Sequence, residues 1–85
     1  MSEPTRVTTL CFAAVRDLVG ASEVALELPT DATAGDVVPA LLVRFPALEP
    51  WAEVLRVAVN GAYAAAGDPV REGDEVAVIP PVAGG

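Results

Sequence analysis

The stretch Thr33–Phe45, "TAGDVVPALLVRF", decides the fold. Val37, Val38, Leu41, Leu42 and Phe45 recur in it at helical spacing and give one broad apolar stripe. The residues just upstream follow a different period. In "SEVALEL" (Ser22–Leu28), Val24, Leu26 and Leu28 alternate with Glu23, Ala25 and Glu27, as in a strand with one buried face. A helix laid on strands is therefore expected. Its start has two readings. Thr33 with Asp36 approximates a capping box, but Pro39 would then sit inside the helix and remove a hydrogen bond. With Asp36 as the cap, Pro39 falls in the first turn, where its missing N–H has no partner to lose. The second reading is adopted, and Pro46 closes the helix.

Further upstream, "VTTLCFA" (Val7–Ala13) is rich in β-branched residues and reads as a first strand. Its two faces, Val7, Thr9 and Cys11 against Thr8, Leu10 and Phe12, both carry apolar residues, so parity leaves open which is inside. "AAVRDLVG" comes next as a short helix, with Val15, Leu18 and Val19 on one face and Gly20 to stop it. Downstream, "LEPWAEVL" predicts a turn or short helical piece with Trp51 over the core edge. "LRVAVNG" is an alternating strand, with Leu55, Val57 and Val59 inward and Arg56 and Ala58 outward. Asn60-Gly61 is a hairpin signal returning through "AYA". After a turn at Glu72-Gly73, a last strand runs from Glu75 to Ile79. The result is an α+β sandwich, a mixed sheet of about five strands with one main helix across one face. The other face is left open. Residues 1–79 form this domain, and residues 80–85 are expected as an extended, flexible tail.

Composition narrows the function. The chain has 85 residues, 53% of them apolar, and a net charge of −7 from twelve carboxylates against five basic residues. All five are arginine; lysine and histidine are absent. Such a surface repels phosphate backbones and anionic membranes, so neither nucleic acid nor membrane is an expected partner, whereas a basic protein is compatible. A single cysteine, Cys11, cannot form an internal disulfide and fits a reducing compartment. "MSEPTR" has no apolar signal core, and no run approaches the roughly 18 apolar residues of a membrane span. A cytoplasmic protein is the expectation by elimination. Without histidine or lysine there is no base poised near neutral pH, and no metal-ligand cluster is visible. Cys11, between Leu10 and Phe12, reads as a packing thiol rather than a nucleophile. Chemistry must come from partners, and no metal or bound cofactor is expected.

The ending "VIPPVAGG" carries the strongest functional signal. Pro80 and Pro81 cannot donate to a strand ladder and hold φ near the polyproline value, so they end the last strand and project the final four residues away from it. Gly84 and Gly85 add no side-chain bulk and could thread a narrow channel. A terminal carboxylate is inert until joined to AMP as an acyl adenylate. A sulfur nucleophile can then displace AMP and leave a thiocarboxylate.

"FAAVRDLVG", "AVNG" and "REGDEVAVIPPVAGG" together resemble the small subunit of molybdopterin synthase, a ubiquitin-like, β-grasp sulfur-carrier family, over nearly the whole chain. The resemblance implies that an adenylating enzyme of the ubiquitin-activating type, using ATP, activates Gly85, and that a sulfurtransferase supplies the sulfur. Gly84 gives clearance. The tail, Pro80, Pro81, Val82, Ala83, Gly84 and Gly85, would enter the large synthase subunit of a heterotetramer and sulfurate a cyclic pyranopterin phosphate. By position, Phe12, Tyr63 and Ile79 match the family's large-subunit interface, and Arg16 matches an arginine that pairs with that subunit. "AYAAAGD" lacks the bulky residue often found after the hairpin, so the surface there should be flatter. Carriers for thiamine, cysteine or tRNA thiolation and ubiquitin-like modifiers share the fold and the Gly-Gly ending. An interaction module with an idle tail is a further class.

Overall fold

The computed structural model describes residues 3–81. The elements are β1 (Thr5–Cys11), α1 (Ala13–Val19), β2 (Glu23–Leu28), α2 (Val37–Arg44), β3 (Arg56–Val59), β4 (Ala62–Tyr63) and β5 (Glu75–Ile79). Two 3₁₀ segments, Ala34–Asp36 and Pro46–Trp51, flank α2. The sheet order is β2-β1-β5-β3-β4. β1 and β5 run parallel at the centre, and the other pairings are antiparallel. The mixed five-stranded sheet with one main helix is as expected.

The alternations resolve into a single core. Val7, Thr9 and Cys11 of β1, Leu26 and Leu28 of β2, and Val76 and Val78 of β5 are buried beneath the helical layer. Val37 and Leu41 of α2, Val15 of α1 and Leu48 of the second 3₁₀ segment meet them from the other side. Each such apolar side chain contributes about 1.5–3 kcal/mol by leaving water. Val70 is also in the core, held where its N–H donates to the Ala32 carbonyl at 2.9 Å. Sequence reading named neither Leu48 nor Val70, because both lie in irregular segments without a period.

Four local expectations change. β1 begins two residues earlier than Val7 and stops at Cys11, because Thr5 already pairs with Leu28 and Ala13 turns to φ 48° to start α1. In α1, Val15 is buried and Val19 packs on the core, but Leu18 is exposed: a seven-residue helix is too short to press its whole stripe inward. The choice between two caps for α2 was a false one. The Thr33 N–H donates to Asp36 Oδ2 at 2.8 Å, so the capping box forms, but around the 3₁₀ turn Ala34–Asp36. That turn delays α2 to Val37, and Pro39 still falls in its first turn. Ala58 lies on the outer face as its parity demands, yet it is buried, in register between Ala77 of β5 and Tyr63 of β4.

A candidate partner-binding face and tail root

β5 leads into the tail, and it is the central strand of the sheet. It pairs with β1 on one side and β3 on the other, so the chain leaves the middle of the sheet at Ile79. The start of β5 is tied to both neighbours. The Asn60 Oδ1 accepts from the Glu75 N–H at 3.0 Å, and Asn60 Nδ2 donates to Asp74 Oδ1 at 3.1 Å. The Arg6 N–H donates to Glu72 Oε1 at 2.8 Å, and the Thr8 N–H to the Asp74 carbonyl at 3.1 Å. Asn60 can do this because the Asn60-Gly61 hairpin places both residues at positive φ, 49° and 89°, the geometry that two-residue hairpins demand. Asp74 also closes the turn before β5, accepting from the Arg71 N–H at 2.8 Å. That bond first, then the Asn60 amide, holds the Asp74 carboxyl below its usual range.

On the face away from the helices, strand register aligns Leu10, Ala77, Ala58 and Tyr63 in one row across β1, β5, β3 and β4. Ala77 and Ala58 supply a low floor. Phe12, 46% exposed, and Tyr63, 70% exposed, stand above it, and Ile79 lies where β5 ends. Together they line a shallow trough of about 320 Å³. The structure thus places Phe12, Tyr63 and Ile79 around one groove and leaves Arg16 elsewhere. Arg16 is exposed on α1 and borders a separate depression with Asp17 and Ser22. Pro80 is half-buried and Pro81 exposed, both beyond the ladder. Val82, Ala83, Gly84 and Gly85 lie outside the described residues. Sequence reading missed Leu10, Ala58 and Ala77. Their only signal is alternation, and parity in β1 was ambiguous.

Within the described residues no group of three or more His, Cys, Asp or Glu could hold a metal ion. No described helix is long and apolar enough to cross a membrane. Cys11 is buried in the core, and burial pushes its thiol up, which opposes the nucleophilic thiolate.

A model of the ThiS family matches residues 10–85. The chain belongs to the ThiS family. The molybdopterin synthase sulfur carrier subunit of Arabidopsis thaliana is 33% identical over 79 residues, covering 93% of this chain and 82% of that protein. The subunit of the same name from Escherichia coli K12 is 40% identical over an 87-position alignment, covering 93% and 99%. The small archaeal modifier protein 1 of Haloferax volcanii is 37% identical over 82 residues, covering 87% and 94%. Its crystal structure superposes with a TM-score of 0.83 at 32% identity, covering 92% of this chain and 99% of that one. The fold of this ThiS-family chain is the ubiquitin-like β-grasp that the sequence resemblance implied.

Proposed function

We propose that this ThiS-family chain is the sulfur-carrying small subunit of molybdopterin synthase, with no catalytic centre of its own. Gly85 is the residue modified. A partner of the ubiquitin-activating type joins its carboxylate to AMP from ATP, releasing pyrophosphate. Hydrosulfide, set free from a sulfurtransferase persulfide by a thiol reductant, then adds to the acyl carbon, AMP leaves, and a thiocarboxylate remains. In the large subunit that thiocarboxylate gives its sulfur to a cyclic pyranopterin phosphate, water adds to the acyl carbon as its C–S bond breaks, and the chain returns as the carboxylate. The observation that carries this reading is the exit of β5. The central strand, fixed by both neighbours, ends beside an apolar trough and runs straight into Pro80-Pro81. A partner seated on Phe12, Tyr63 and Ile79 would receive the tail at a defined angle, with Gly84 and Gly85 slender enough for a narrow channel.

The relatives named molybdopterin synthase sulfur carrier subunit support this pathway over the thiamine, cysteine and tRNA-thiolation pathways. The archaeal modifier favours a second reading, in which the same activated terminus is passed to a lysine amine of another protein. Deleting Gly85 tests the carrier reading. Sulfur transfer to the pterin precursor by the reconstituted synthase should be abolished while the thermal midpoint stays where it was. Full transfer by the shortened chain would defeat it. Lysine conjugates formed in place of pterin sulfuration would support the modifier.

A further inference from the structure

We propose that Arg44 guards the β2 edge against pairing with a second copy of this chain. The sheet has two edges, and β4 is a poor template because it spans only Ala62–Tyr63. β2 is six residues long and its outer side is geometrically ready to pair. The register with β1 sets Arg6 opposite Glu27, Thr8 opposite Ala25 and Leu10 opposite Glu23. The backbone of Arg6 and Thr8 is used on the β5 side: the Arg6 N–H reaches Glu72, the Arg6 carbonyl accepts from Gly73, and the Thr8 N–H reaches the Asp74 carbonyl. Cys11, of opposite parity, instead donates towards β2, to the Ser22 carbonyl. Glu23, Ala25 and Glu27 are therefore the non-hydrogen-bonded members of the antiparallel pair, and their N–H and C=O groups point out of the sheet.

Arg44, from the last turn of α2, reaches across and donates Nη1 to the Ala25 carbonyl at the middle of that edge. Its guanidinium lies 5.2 Å from the centroid of the adjacent Phe45 ring, which helps hold it in place. Beside it Val43 is 83% exposed, apolar surface that an added strand would cover. A second copy pairing antiparallel about Ala25 would set Glu23 against the other copy's Glu27, an unfavourable pair that Arg6, opposite Glu27 on β1, only partly offsets. The charges discourage the pairing, and Arg44 blocks its central hydrogen bond.

The test uses the full chain as Arg44→Ala and Arg44→Gln, with Arg44→Lys to restore a donor. Light scattering behind size exclusion, carried to millimolar concentration, should give a monomer for the parent and for Arg44→Lys. The Ala and Gln variants should move towards twice the monomer mass, with far-ultraviolet circular dichroism retaining its native shape. Amide exchange should then slow at Ala25 and Glu27. Monomeric Ala and Gln variants with native spectra would overturn the proposal, and so would a dimer protected elsewhere. Loss of folding in both would also overturn it, making Arg44 a strut of the fold.

Discussion

Thr9 shows how one side chain can work against the core that contains it. It is fully buried and its Oγ1 has no hydrogen-bond partner, so folding strips water from a hydroxyl and returns nothing. Valine has nearly the same shape. Thr9→Val is expected to raise the unfolding free energy by about 1 kcal/mol, read as a higher denaturant midpoint at an unchanged slope. Asp74 works in the opposite sense. Its folded-state carboxyl is held below the usual 3.8 by the Arg71 N–H and the Asn60 amide. A depressed carboxyl contributes stability that is present above its unfolded value and is lost as the pH falls through the lower folded one. The stability difference between the parent and Asp74→Asn should therefore shrink below about pH 4. The group is largely exposed, so the effect is small. A difference that grows on acidification would contradict the assignment.

Among the elements, the hairpin Asn60-Gly61 was legible because its chemistry is local. Gly61 sits at φ 89° with nothing within 4 Å of where a Cβ would stand. Gly61→Val should cost about 1–2 kcal/mol from conformation alone, with no clash to relieve, and hydrogen exchange should quicken in β3 and β4 before it does in β1. The long helix and the last strand were legible for the same reason, since a period of 3.6 or 2 is written in neighbouring residues. What a segment could not show is which face of β1 the helices would cover. Val7, Thr9 and Cys11 compete with Thr8, Leu10 and Phe12 on near-equal terms, and packing decides. The helix start misled for a related reason: a 3₁₀ turn satisfied both the Thr33–Asp36 box and Pro39, and sequence spacing posed them as rivals.

For the whole molecule, the trough exists only after four strands come into register, so its floor of Ala58 and Ala77 was invisible in the sequence, whereas its aromatic walls came from family resemblance. If it seats the large subunit, Phe12→Ser and Tyr63→Ser should each weaken that complex at least about tenfold. The thermal midpoint of Tyr63→Ser should hardly move, since that side chain is 70% exposed in the isolated domain. Unchanged affinity in both variants would move the docking surface elsewhere. The central claim concerns Gly85, which lies outside the described residues. Its most direct test is the mass of the intact chain, recovered after incubation with the adenylating enzyme, ATP and a sulfur donor, with fragmentation of the C-terminal peptide. The prediction is one oxygen replaced by sulfur, placed at Gly85. A chain that returns with its original mass, or is found only in amide linkage to lysines of other proteins, would contradict it.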